Sequence, residues 1–91
     1  MTRVTNQSID ARIDKVEYQR LPGTTLTICI ITMVNGFTVT GESACVDPDE
    51  YNQERGEEIA YENAFQKLWP LEGYLLKERL YQQSIRGSAR G

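Results

Sequence analysis

The dipeptide Asn35-Gly36 lies between two runs rich in Thr, Ile and Val, and it constrains the fold more than any other feature of this sequence. A type I′ turn needs positive φ at both central residues, which Asn and Gly tolerate best, so the pair favours a two-residue hairpin loop. The flanking β-branched residues suit a pleated strand. We therefore predict a β-hairpin over residues 24–45.

A two-residue loop would also fix the strand register, because it places Val34 opposite Phe37. Side chains alternate between the two faces of a strand. The predicted core face contains Leu26, Ile28, Ile30, Val34, Phe37 and Val39. The other face would carry Ile31 and Met33, either in a contact between subunits or as scattered apolar residues on an exposed sheet face.

The segment before the hairpin supplies one more strand. Residues 9–13 predict a short helical segment capped by Ser8, and residues 15–20 alternate as a strand does. Leu21-Pro22-Gly23 is a turn signal that connects this strand to the hairpin. These signals together predict a three-stranded antiparallel meander.

After Cys45 the pattern becomes helical. Asp47 is a candidate N-cap with Pro48 at the first helical position, and Gly56 is a weak point where the helix could restart. Pro70 disfavours helix at the preceding residue, so we predict a second helix from Leu71 to about residue 83. The predicted fold class is α+β: a three-stranded antiparallel β-meander followed by two C-terminal α-helices.

The second helix carries apolar residues on two sides. Leu71, Tyr74, Leu75 and Tyr81 lie on one side, and Leu76 and Leu80 lie on the other. This arrangement predicts burial by the sheet and by a second subunit, and hence an oligomer. We expect a single domain over residues 1–91, with flexible tails at 1–8 and 84–91.

Composition excludes several functional classes. The net charge of −3 argues against binding to long nucleic acids, and no apolar run approaches the roughly 20 residues that span a membrane. The N-terminus lacks an apolar signal segment, so we expect a cytoplasmic protein. No histidine is present, which removes the commonest general base and most zinc sites. We expect no catalytic residue, no metal site, no cofactor and two free thiols, Cys29 and Cys45.

Five residues are candidates for ligand binding. Asn63 and Arg79 fall beside apolar stripes of the predicted helices, so each needs either an intramolecular partner or a ligand. Tyr51 and Tyr74 lie near helix starts, where they would either stack on a ligand or join the core. Ser43 precedes the strand-to-helix junction, where free helix N–H groups can hold an anion, although the nearby Asp47 suits a simple cap.

Two segments, NGFTVTGESACVDP and IAYENAFQKLWPLEGYLLKERL, resemble a family of small proteins from tailed phages and prophages, over roughly residues 16–81. The sequence is also similar to the first type of Thoeris anti-defence protein. Those proteins sequester the cyclic ADP-ribose isomer made by TIR-domain enzymes, and related members form hexamers that also hold cyclic di- or trinucleotides. The resemblance implies a non-enzymatic sponge in the host cytoplasm, a dimer or hexamer with ligand pockets at dimer interfaces.

Within that hypothesis, we assign roles to the candidates by position. Asn63 would contact a base or ribose edge, Arg79 a phosphate, and Tyr51 or Tyr74 would stack. Two other hypotheses stay open at this point. The chain could inhibit a host protein by direct contact, or it could hydrolyse a cyclic nucleotide.

Overall fold

The computed structural model of the chain describes residues 3–90 and confirms the α+β class. The elements in chain order are α1 (Asn6–Asp10), β1 (Ile13–Arg20), β2 (Thr27–Met33), β3 (Thr38–Ser43), a single 3₁₀ turn (Pro48–Glu50), α2 (Gln53–Gln66) and α3 (Leu68–Arg90). The strands form one antiparallel sheet in the order β1-β2-β3. The predicted meander is therefore confirmed.

The hairpin loop is one residue longer than predicted. The Gly36 N–H donates to the Met33 carbonyl at 2.8 Å, and Gly36 has φ +90°. Met33 also bonds through its N–H to the Phe37 carbonyl, so three residues separate the paired positions. This is the turn in which a positive-φ glycine adds one residue to the strand connection. Val39 consequently lies opposite Ile31 instead of the predicted Thr32, and Gly41 lies opposite Cys29 instead of the predicted Ile30.

The longer loop places the core on the opposite face of β2 from the one predicted. Ile31 and Met33, expected on the open face, are buried with Cys29 and Thr27. Val34 and Phe37, expected in the core, are 57% and 55% exposed. The predicted core face was wrong because a change of one residue reverses every side chain of a strand. Val39 alone of the predicted β3 core residues is buried.

Helix α2 covers the core face of the sheet at very short range. A Cβ placed on Gly41 would lie 2.2 Å from the Ala64 nitrogen and 2.3 Å from the Ala60 carbonyl oxygen. Ala60 and Ala64 are fully buried. Small residues on both elements thus let the helix backbone rest directly on β3. Gly56 does not interrupt α2, whose N-cap is Asn52, while the predicted cap Asp47 caps the 3₁₀ turn.

Helix α3 begins at Leu68, three residues before the predicted start. Pro70 therefore falls in the first turn, where its missing N–H costs no helical hydrogen bond. Helix α3 continues through residues 84–90, which are part of the predicted C-terminal tail. At the other end of the chain, Thr5 and Ser8 form a reciprocal cap on α1. Met1, Thr2 and Gly91 of the predicted tails lie outside the described residues, and the flexibility of both tails stays a prediction.

The two cysteines are free thiols, as predicted. Cys29 is buried under α2, and burial raises the pKa of its thiol. Cys45 is half-buried and donates to the Asp47 carbonyl at 3.0 Å. Among the described residues, no helix is both long enough and apolar enough to cross a membrane.

Candidate functional site

The candidate residues fall into two separate depressions of the surface. Tyr51 and Ser43 share a cavity at the junction of β3 and α2, whereas Arg79 lines a groove between the N-terminal segment and α3. Asn63 and Tyr74 line neither of them. The two depressions share no lining residue: the junction cavity includes the first turns of α2, whereas the arginine groove is lined by the N-terminal segment and α3.

The first depression, the junction cavity, has a volume of about 430 Å³, within the size range of small-molecule pockets. Its lining consists of Thr25, Ser43, Ala44, Cys45, Glu50, Tyr51, Asn52, Arg55, Gly56 and Ile59. The cavity forms where the chain leaves β3, makes the 3₁₀ turn and enters α2. Asn52 caps this helix by accepting a hydrogen bond from the Arg55 N–H at 3.1 Å.

Tyr51 is held firmly at the wall of the junction cavity. Its hydroxyl shares a 3.1 Å hydrogen bond with Thr27 Oγ1 and donates to the Gln53 side-chain oxygen. The Arg20 guanidinium lies 4.2 Å from the centre of its ring, in cation–π geometry. Because Arg20 occupies ring surface, only part of this aromatic side chain remains for stacking on a ligand.

Ser43 has an internal partner in the same cavity. Its hydroxyl donates to the Gly56 carbonyl at 2.6 Å, which joins the end of β3 to the first turns of α2. The hydroxyl oxygen keeps acceptor capacity for a ligand. Ser43 therefore shapes the cavity and could still offer it one hydrogen-bonding atom.

The second depression, the arginine groove, also measures about 430 Å³. Its lining consists of Arg3, Val4, Ser8, Arg12, Glu72, Leu76, Arg79, Leu80 and Gln83. Three arginines and one glutamate are among these lining residues, so the groove is locally positive although the chain as a whole is acidic. Guanidinium groups match the geometry of phosphate oxygens better than any other side chain does.

Arg12 and Glu72 form the ion pair that joins the two walls of the groove. Arg12 Nε lies 3.0 Å from Glu72 Oε1 and donates to Oε2 at 3.2 Å. The two side chains are 26% and 14% exposed, so this pair is better shielded from water than the other ion pair of the described residues, Lys15–Glu17. The pair holds the turn after α1 against the second turn of α3.

Asn63 and Tyr74 lie outside the junction cavity and the arginine groove. The Asn63 side-chain nitrogen donates to the Glu42 carbonyl at 2.8 Å, so the intramolecular partner considered for this residue is present. It ties α2 to the edge strand β3. Tyr74 is 64% exposed on α3 and lies outside the core. Their predicted ligand contacts stay predictions.

A model of the Phage protein (N4 Gp49/phage Sf6 gene 66) family matches residues 4–80. The chain belongs to this family. The match contains every candidate site residue and most of both depressions, but it ends before Gln83 and begins after Arg3. No curated protein and no solved structure matches this phage protein.

Sequence reasoning about this phage protein missed Arg3 and Arg12. Both come from the N-terminal segment, and Arg12 meets Glu72 across 60 positions of sequence. No local sequence pattern predicts the contact between Arg12 and Glu72, because this contact depends on how α1 and α3 pack. The only available signal was the presence of two arginines in the segment before the first strand.

A third, shallower groove lies on the other side of α1. Asn6, Gln7 and Asp10 face Tyr61, Glu62 and Phe65 of α2 there. The Tyr61 and Phe65 rings are 5.7 Å apart, and burial together with the nearby Asp10 charge raises the pKa of the Tyr61 hydroxyl. This groove is acidic, so of the two grooves that flank α1 only the arginine groove suits an anion.

Proposed function

We propose that this phage protein binds a cyclic nucleotide immune signal and sequesters it without chemical change. The proposed ligand is a cyclic ADP-ribose isomer made by TIR enzymes in the host cytoplasm, with cyclic oligonucleotides as further candidates. The observation that carries the proposal is the arginine groove, where Arg3, Arg12 and Arg79 come together from distant parts of the chain. The similarity to Thoeris anti-defence proteins supplies the ligand class.

The charge of the groove supports a phosphate-bearing ligand. Among the described residues that line the groove, Glu72 is the only carboxylate beside the three guanidinium groups, which leaves about two positive charges. A pyrophosphate diester carries two negative charges at neutral pH, so ligand and groove would neutralise each other. Leu76 and Leu80 add apolar wall beside these charges. A ribose or base could pack on that wall while the phosphates face the arginines.

A sponge acts by mass action and needs no catalytic group. It must hold the signal more tightly than the host effector does. Its binding sites must also be at least as numerous as the signal molecules. Charge-assisted hydrogen bonds to the pyrophosphate are the strongest contacts that this chain could offer. Assembly into a dimer or hexamer, also part of the proposal, could close the open side of the groove.

The first test is a thermal-shift screen with the TIR-made cyclic ADP-ribose isomer, cyclic di- and trinucleotides, NAD and ADP-ribose. A ligand that binds only the folded state raises the melting temperature in a concentration-dependent way. We expect a shift with the cyclic ADP-ribose isomer. The absence of any shift at concentrations well above micromolar would contradict the proposal.

Two variants locate the site. Arg79→Ala removes a guanidinium from the groove and should weaken binding at least tenfold. Lys77→Ala removes a positive charge from the same helix at an exposed position outside the groove, and it should bind almost as the natural chain does. Equal binding by Arg79→Ala and the natural chain would show that the ligand occupies another site.

The fate of the ligand separates sequestration from hydrolysis. After long incubation, the protein should be denatured and the released nucleotide analysed by mass spectrometry. We expect recovery of the intact cyclic nucleotide. Recovery of a linear product would identify an enzyme instead.

Inhibition of a host protein by direct contact is the second candidate. Exposed apolar residues at the hairpin tip favour it, since Val34 and Phe37 are exposed there and Phe37 shares a depression with the exposed Leu71 of α3. Capture experiments with the natural chain and with a Val34→Ser/Phe37→Ser variant test it. A host protein retained only by the natural chain, without any nucleotide binding, would favour this candidate.

A further inference from the structure

Among the arginines that line the arginine groove, Arg12 has its guanidinium held in place by an ion pair with Glu72. Its guanidinium meets Glu72 through Nε, the inner nitrogen, at 3.0 and 3.2 Å. Its terminal amino groups make no hydrogen bond among the described residues, and the residue lines both the arginine groove and the depression beside the hairpin tip. A guanidinium presents five N–H donors in a fixed plane, so engagement at Nε leaves the terminal edge available for a second oxyanion.

Arg12 is also fixed through its backbone. Its carbonyl accepts a 2.8 Å hydrogen bond from the Val34 N–H at the hairpin tip. Arg12 is therefore held at both ends, by the hairpin through its carbonyl and by α3 through its side chain. Arg79 lines the same groove from an exposed position and has no ion-pair partner among the described residues.

We propose that Arg12 binds a phosphate group of the ligand through its terminal amino groups, and that Glu72 is the positioning residue that aims it. This inference rests on the proposed function, because it concerns the same groove, and it names a pyrophosphate group as the chemistry recognised there. Arginine side chains lose considerable rotamer freedom when they are immobilised. A guanidinium that is already fixed avoids that loss when the ligand binds.

Glu72 has two opposing effects on an anion in the groove. Its negative charge repels the anion, but its contact with Nε orients the guanidinium. Removal of the carboxylate would strengthen binding if the charge dominated and weaken it if positioning dominated. The direction of the change therefore distinguishes a positioning residue from a neighbouring charge.

Calorimetric titration with inorganic pyrophosphate tests the proposal on the full chain. We expect Arg12→Ala to weaken binding at least tenfold. Glu72→Ala should weaken it about three- to tenfold although a negative charge is lost. Glu72→Gln keeps an acceptor for Nε–H without the charge, so it should bind at least as tightly as the natural chain. Tighter or unchanged binding by Glu72→Ala would overturn the positioning role.

A matched control removes a carboxylate elsewhere on the same helix. Glu78 accepts a hydrogen bond from Gln82 and lies outside the groove. Glu78→Gln should change pyrophosphate affinity less than twofold. A loss equal to that of Glu72→Ala would mean that the helix, and not the Arg12 contact, was perturbed, and would overturn the proposal.

A second comparison remains decisive if Glu72→Ala does not fold. Arg12→Lys keeps the positive charge and an ammonium able to pair with Glu72, but it loses the planar fork. We expect about a tenfold weaker affinity for pyrophosphate and an unchanged melting temperature. Equal affinity would show that positive charge alone suffices. It would overturn the proposal that Arg12 contacts Glu72 through Nε and a phosphate through its terminal amino groups.

Failure of this inference can be told apart from failure of the proposed function. Binding of pyrophosphate with the expected order of variants, but no binding of any cyclic nucleotide, would keep the Arg12 site and reject the sponge. Binding of a cyclic nucleotide with no effect of Arg12→Ala or Glu72→Ala would keep the sponge and reject this site. No binding of pyrophosphate or of nucleotide would reject both.

Discussion

Helices α2 and α3 follow each other directly but relate to the sheet in opposite ways. Helix α2 lies on β3 at backbone contact distance, with Ala60 and Ala64 fully buried. Helix α3 buries Leu68 in its first turn and then leaves Tyr74, Leu80, Tyr81 and Ile85 exposed. The molecule is consequently elongated, 66 Å along its longest axis and 20 Å or less across.

This contrast separates the residues on which stability depends from those of the proposed binding surface. The α2–sheet interface contains the small, closely fitted residues on which the fold depends. The arginine groove and the exposed apolar side chains belong mainly to α3 and to the segments beside it. We therefore expect substitutions at the α2 interface to change the free energy of unfolding, and most α3 substitutions to change recognition instead.

The largest effect should come from Gly41→Ala. The added Cβ would overlap the α2 backbone at Ala60 and Ala64, and a helix backbone cannot move aside as a flexible side chain can. We expect the free energy of unfolding to fall by about 3 kcal/mol or more, measured by urea denaturation. Gly73→Ala in α3 is the matched control. Nothing lies within 4 Å of its added Cβ, so it should stabilise by about 0.5–1 kcal/mol. A mild effect of Gly41→Ala would mean that α2 is not seated on β3.

Leu68→Ala should have the next largest effect. Leu68 is the 1% exposed residue with which α3 joins the core, so truncation leaves a cavity. We expect a loss of about 2–4 kcal/mol in the free energy of unfolding. Leu80→Ala, on the 40% exposed Leu80 of the same helix, should cost less than about 1 kcal/mol. Similar losses of stability for the two variants would contradict the contrast between the buried first turn of α3 and its exposed later turns.

Asn63→Ala tests a single hydrogen bond between α2 and the sheet. The lost donor leaves the Glu42 carbonyl without this partner at an exposed position. We expect a loss of about 1 kcal/mol in chemical denaturation. Gln82→Ala removes a bond to Glu78 within α3 and should cost about 0.3 kcal/mol. If Asn63→Ala left stability unchanged but abolished nucleotide binding, the predicted ligand contact of Asn63 would gain support.

Tyr74→Ala should have the smallest effect on stability. Its ring is 64% exposed, so we expect a change within about 0.5 kcal/mol. The predicted assembly of subunits gives this variant a second measurement, sedimentation velocity at several concentrations. We expect a smaller assembly for Tyr74→Ala than for the natural chain. Identical sedimentation would place any subunit contact on another surface.

The hairpin shows which part of the fold could be predicted from sequence. Asn35-Gly36 located the turn correctly, and the β-branched flanks identified β2 and β3. The loop length decided which face is buried, and β2 offers no independent clue because it has isoleucines on both faces, at Ile28 and Ile31. Local residue preferences identify elements, whereas register depends on one residue of loop geometry.

The site was harder to predict for a different reason. Ser43 was expected before the strand-to-helix junction and Tyr51 near a helix start, and the two line one cavity because they lie close together in sequence. Arg79 was chosen from its helical position, but its partners Arg3 and Arg12 come from the opposite end of the chain. Pro70 led to a predicted break at Trp69, but the break lies at Lys67, and Trp69 and Pro70 belong to the first turn of α3. Contacts between distant segments follow from packing, which single-sequence patterns do not encode.

The hydrogen bond from the Val34 N–H to the Arg12 carbonyl links two regions that otherwise look independent. Arg12 contacts the hairpin tip through its backbone carbonyl and lines the arginine groove with its side chain. We therefore expect a residue added to or removed from the hairpin loop to change the position of Arg12 in the arginine groove. Loop engineering of this hairpin, whether for solubility or for crystallisation, should then also change the affinity for the proposed ligand.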